Sequence, residues 1–122
     1  MPYSIRYDSV TNIIWSAIEG TSDLKEARTL SLQTRKLADQ YQYNHFLVDL
    51  RQATFRTSLS AGFTYTVNLA KRGYERTDRM AIVYAPEEAA RFHLMETAAQ
   101  NRGWSYRAFE DLAEALAWLQ EN

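Results

Sequence analysis

The stretch His45-Phe46-Leu47-Val48-Asp49-Leu50 decides how the rest of the chain reads. Phe46, Leu47, Val48 and Leu50 put apolar groups on both sides of an extended backbone, with one acid among them. Such a run marks a strand inside a parallel sheet, where crossover helices take both faces out of water. Arg79 to Tyr84 repeats the pattern with Met80-Ala81-Ile82-Val83-Tyr84. A helix signal lies between the two runs. Ser58 suits an N-cap, and Leu59, Phe63, Val67 and Ala70 form one stripe ending at Gly73, a C′ glycine. Arg51 to Thr57 is expected to be the loop that joins the first run to this helix.

A strand, a helix and a second strand imply a right-handed crossover between parallel neighbours. Downstream, Pro86 fits the first position of another helix, with Glu87 and Glu88 in its first turn. Phe92, Met95 and Ala99 would form its inner face, and Gly103 closes it. Trp104 to Phe109 is the last expected strand. Asp111 and Glu114 have capping-box spacing, and Leu112, Ala115, Leu116 and Leu119 give a final helix reaching almost to Asn122.

Upstream, Asp23 and Glu26 cap a helix in which Leu24, Ala27, Leu30, Leu37, Ala38 and Tyr41 recur at mostly helical spacing. Tyr3 to Asp8 alternates apolar and polar residues. Val10 to Glu19, holding Ile13, Ile14, Trp15, Ala17 and Ile18, reads as a second strand, and the two make an antiparallel hairpin that Gly20 brings to an end. The order is β-β-α-β-α-β-α-β-α. The expected fold is therefore α/β, a mostly parallel sheet with an N-terminal antiparallel hairpin. Proline occurs at positions 2 and 86 alone and no linker or repeat divides the sequence, so residues 1–122 read as a single domain.

Composition narrows the function. With 14 Lys and Arg against 15 Asp and Glu, the net charge of −1 provides no basic stripe for nucleic acid. The absence of cysteine removes disulfides, thiolate catalysis and Cys-type zinc sites. No apolar run approaches the roughly 18 residues of a membrane span, and Met1 to Tyr7 lacks the pattern of a signal peptide, so a cytoplasmic location is expected. No G-x-S-x-G elbow or glycine-rich phosphate loop occurs. His45 and His93 do not have metal-ligand spacing. No metal, cofactor or catalytic residue is expected.

Two stretches could hold a ligand. Ligands of open α/β sheets bind beyond the carboxyl ends of strands, and the Arg51–Thr57 loop runs from there into a helix N-terminus. Arg51, Arg56, Thr57, Ser58 and Ser60 could together hold a phosphate or carboxylate; alternatively Ser58 only caps the helix and the arginines are solvated or paired. Phe63, Tyr65, Phe92 and Met95 could line an apolar pocket beneath a mobile helix, or simply fill the core. Asp49 is either a functional acid or a strand-end acid bonded to the following loop or an arginine. Lys71-Arg72 precedes Gly73 and suits a helix C-terminus, a structural role.

The hairpin with Trp15 and Glu19-Gly20, the Phe46-Leu47-Val48-Asp49-Leu50-Arg51 segment, Met80-Ala81-Ile82-Val83, and the ending from Asn101-Arg102-Gly103-Trp104 to Ala115-Leu116-Ala117-Trp118-Leu119 resemble the SpoIIAA-like proteins of the STAS (STAS/SEC14-type) superfamily. The resemblance covers nearly the whole chain. It implies a non-enzymatic regulatory or protein-interaction module, a homodimer, with a regulatory protein partner. Its SEC14 side implies an alternative, a carrier or sensor of a small apolar or amphipathic, lipid-like ligand. In the best-known relatives one serine before a helix glycine is phosphorylated, in a motif like Asp-Ser-Ser-Gly. Here Ser58-Leu59-Ser60-Ala61-Gly62 stands in that place, and alignment on Gly62 puts Ala61 at the acceptor position, which argues against a phospho-switch.

Overall fold

The computed structural model describes residues 3–121. It places β1 (Tyr3–Asp8), β2 (Ile13–Ser22), β3 (His45–Phe55), β4 (Arg79–Tyr84) and β5 (Ser105–Phe109) side by side in one sheet, in chain order. β1 runs antiparallel to β2, with Tyr3 opposite Ile18 and Asp8 opposite Ile13. The remaining pairings are parallel. This is the α/β fold, with its opening hairpin, that the apolar runs and caps point to.

When each new parallel strand is laid beside the previous one, right-handed crossovers stack their helices on one face. α1 (Leu24–Tyr41), α2 (Leu59–Val67) and α3 (Ala89–Gln100) accordingly cover the face carrying Ile14, Phe46, Leu50, Ile82 and Tyr106. α4 (Leu112–Leu119) follows the last strand and has no crossover to make. It seals the other face with Ala115 and Leu119 over Ile13, Leu47, Ala81, Val83 and Phe109. Asp23 caps α1 by accepting from the Glu26 amide at 3.0 Å, and Asp111 caps α4 through Ala113 and Glu114, both as the spacing predicts.

Several boundaries differ from the sequence reading. Arg51–Phe55 is not a loop: it extends β3, and β2 likewise continues past Gly20 to Ser22. Gly20 bends the strand at φ +79° without ending it. The pairing runs Ala17 to Asp49 and then Glu19 to Gln52, so β3 spends one more residue than β2 there. That bulge shifts the alternation, which is why Leu50 and Ala53, three apart, both face the same core. Arg51, Gln52 and Thr54 are exposed, so this half of the strand lacks the apolar run that betrayed the first half. The helix after Ser58 stops at Val67, and a separate 3₁₀ turn, Leu69–Arg72, carries the chain to Gly73 at φ +90°. Pro86 starts a 3₁₀ turn, Pro86–Glu88, that leads into α3. Trp104 precedes β5 and does not belong to it. Among the described residues no helix is long and apolar enough to cross a membrane.

Candidate functional site: a cavity beneath the second helix

α2 is the poorly packed member of the three-helix layer. Its backbone lies along α3 but stands off the strands and α1. Its own sequence is the reason: the residues it turns toward the sheet are Gly62, Tyr65 and Thr66, of which Tyr65 alone is large. Gly62 permits the close approach to α3, since a Cβ there would meet the Met95 methyl at 3.0 Å and Arg91 Nη1 at 3.3 Å. Ser58 caps α2, its Oγ accepting from the Ala61 amide at 3.2 Å.

The space left under α2 is a cavity of about 150 Å³. Its floor is the sheet, with Ile18, Phe46, Val48, Leu50, Ile82 and Tyr106. α1 contributes Ala27, Leu30, Ser31 and Thr34; α2 contributes Tyr65 and Thr66; α3 contributes Arg91, Phe92 and Met95. Val48, in the middle strand of the sheet, is only half-buried because it looks into this space. The wall is mainly apolar, with a band of hydroxyls. Ser16, Ser31, Thr34 and Thr66 are all buried there. Ser31 Oγ lies 3.4 Å from the Tyr74 hydroxyl, and Thr34 Oγ1 has no hydrogen-bond partner within the protein. Burial pushes the Tyr74 and Tyr106 phenols up, and the positive charge of Arg72 acts against that on both.

Two contacts hold the roof. The Tyr65 hydroxyl donates to the carbonyl oxygen of Ala27 at 2.9 Å, joining α2 to α1. On the other side, Arg91 donates from Nη2 to the Thr57 carbonyl at 3.0 Å, just before α2 begins, while its Nε holds Glu88 at 3.1 Å. Arg72 stacks over the Tyr65 ring, 3.5 Å from its centroid, and donates from Nη2 to the Tyr65 carbonyl at 2.9 Å.

Of the four apolar pocket candidates, Tyr65, Phe92 and Met95 line the cavity. Phe63 lies outside the lining, packed on the main core with the Arg102 guanidinium 5.4 Å from its ring. The anion candidates are distributed differently. Thr57, Ser58 and Ser60 sit together at the start of α2, and Thr57 reaches the cavity. Ser60 and Arg56 are exposed, and the Arg56 amide donates to the Ser22 carbonyl at 3.1 Å. Arg51 is four strand residues behind Phe55, in a two-pronged ion pair with Asp49 at 3.0 and 2.8 Å. That pair holds the Asp49 carboxyl below the usual carboxylate range and lies outside the cavity lining.

The histidines lie apart. His93 Nε2 bonds the Tyr84 hydroxyl at 2.9 Å beyond the end of β4, while His45 begins β3 at the opposite end of the parallel strands. Among the described residues no cluster of three His, Asp or Glu side chains could hold a metal ion.

The sequence does not single out the hydroxyl band, and Arg72 reads there as a structural residue at a helix C-terminus. Ser31 and Thr34 could have been singled out: they fall within the inner stripe of α1, between Leu30 and Ala38, where an uninterrupted apolar face is expected. Arg72 carries no such signal, because a basic residue before a C′ glycine is ordinary.

A family model described as SpoIIAA-like matches residues 13–120. No curated protein matches the chain.

Proposed function

We propose that this chain, which belongs to the SpoIIAA-like family, is a non-enzymatic regulatory module whose input is a small apolar or amphipathic molecule held under α2. Membership supports a regulatory or interaction role in general. The observation that carries the finer reading is the cavity of about 150 Å³ beneath a helix tied to α1 by the Tyr65–Ala27 hydrogen bond. Protein interiors normally close such spaces, because an empty site forfeits the contacts of every wall atom. An apolar cavity of roughly this size takes up benzene when one is engineered into another protein. A guest would restore the lost contacts and hold α2 in place. That would couple occupancy to the shape of the surface around Ser58.

The alternative input, phosphorylation at the start of α2, has less support. Ala61 stands at the position of the acceptor, and the Ser58 hydroxyl is engaged as the cap. Methyl-resolved NMR in benzene-saturated buffer tests the proposal. Shifts at Ile18, Leu30 and Ile82, with a raised melting temperature, are expected. Unchanged methyl spectra and an unchanged melting temperature would overturn it.

A further inference from the structure

We infer that the cavity's ligand is an organic monoanion, an apolar body bearing one carboxylate, and that Arg72 is the residue that receives the charge. The inference rests on the cavity being a binding site, and it adds the chemistry of what binds.

The ionisable side chains of the lining, phenols aside, are Asp23, Arg72 and Arg91. Asp23 is exposed and caps α1 through the Glu26 amide. Arg91 is neutralised by Glu88 at 3.1 Å. Arg72 is different. Among the described residues the ion pairs involve Arg35, Arg51 and Arg91, and none includes Arg72. Its Nε is buried without an acceptor, and Nη2 meets a backbone carbonyl, that of Tyr65. Arg72 lines the cavity together with Tyr65, Tyr74 and Tyr106, so its side chain lies on the inner side of the turn.

An arginine that is half-buried beside an apolar cavity, with no acid among the described residues to balance it, is an unfavourable arrangement. A carboxylate entering the cavity reverses that. The guanidinium presents a planar set of donors suited to a carboxylate, and stacking on Tyr65 holds that plane in one orientation. The nearby Ser31 and Tyr74 hydroxyls supply further donors, and the aliphatic floor takes the apolar body. A cavity of about 150 Å³ limits that body to a single ring or a short chain.

Benzoate and benzyl alcohol are probes of one size that differ in charge. Titrated into the protein and followed by NMR, benzoate is expected to bind at least about tenfold more tightly than the alcohol. Arg72→Met should abolish that preference, and whatever benzyl alcohol binding it retains shows that the variant is folded. Arg72→Lys should keep part of it. Equal affinities in the wild type, or an unchanged preference in Arg72→Met, would overturn the anion inference alone. Binding of neither probe would overturn the cavity as a site and this inference with it. If Arg72→Met fails to bind the alcohol as well, Arg72→Gln decides by the same ratio, and a variant pair that both unfold leaves the wild-type ratio as the deciding measurement.

Discussion

The Tyr65 hydroxyl donates a 2.9 Å hydrogen bond to the carbonyl oxygen of Ala27, thirty-eight residues away in sequence. The bond links the roof of the cavity to the helix beside it. A neutral hydrogen bond of this kind contributes about 1 kcal/mol. Tyr65→Phe removes it and keeps the ring against which Arg72 stacks. The expected result is a selective loosening: amide hydrogens of α2 lose protection by about fivefold, while those of β3 and β4 change much less. Hydrogen exchange resolved by residue checks this. Equal losses in α2 and the central strands would mean that α2 is no separate unit of the fold.

Thr34 gives the opposite sign. Its Oγ1 is buried on the cavity wall with no partner within the protein, so no protein group offsets the cost of burying the hydroxyl. Thr34→Val keeps the shape and removes the polar group. Stability should rise by about 1 kcal/mol in urea unfolding. A loss of stability would show that the hydroxyl is satisfied by a guest or water in the cavity.

These two residues also show what the chain discloses in advance. The apolar runs of β3 and β4 and the caps at Asp23, Ser58 and Asp111 were readable because they are local: periodicity and one side chain decide them. The second half of β3 was not, since its pairing with Glu19–Ser22 is made across the sheet and its outer residues are polar. The cavity is a failure of packing among four elements, and no local pattern records a missing contact. Tyr65, Phe92 and Met95 could be named because large apolar residues must go inside. Arg72 could not, because a basic residue before a C′ glycine is ordinary, and whether an acid lies beside it is decided by residues distant in sequence.

Asp78 ties the segment before β4 to α1. One of its oxygens, Oδ2, accepts from Arg35 Nη1 at 3.0 Å and from the Glu75 amide at 2.9 Å. The carboxylate is buried, and Arg35 is nearly so. Asp78→Ala strands the guanidinium and the amide together, and should cost about 2–3 kcal/mol. Arg35 keeps Asp39 as a second acid at 2.7 Å, which places the loss below that of a fully buried pair. Chemical denaturation of Asp78→Ala, Arg35→Met and the double variant should give a coupling of about 1 kcal/mol or more. Strict additivity would mean that the two side chains stabilise the fold independently.

His45 supplies a pH dependence with a definite sign. Burial at the start of β3 disfavours its charged form, the positive charge of Arg79 adds to this, and Asp78 opposes it more weakly, so the ring titrates below its ordinary value of 6.5. Above about pH 7.5 the ring is neutral both folded and unfolded, and contributes nothing to the pH dependence. As pH falls through 6.5 the unfolded chain takes up the proton first, so stability declines until the folded ring titrates as well. The effect is small, because solvent screens a half-buried ring. The direct check is an NMR titration of the ring, with a midpoint below 6.5 in wild type that moves upward in Arg79→Met. His45→Gln should flatten the same part of the stability curve. Asp49 acts in a separate window: its depressed carboxyl stabilises the fold above its ordinary value of 3.8, and that contribution disappears only in stronger acid. A wild-type ring that titrates at or above 6.5 would mean that water reaches His45 freely and that Arg79 is turned away from it.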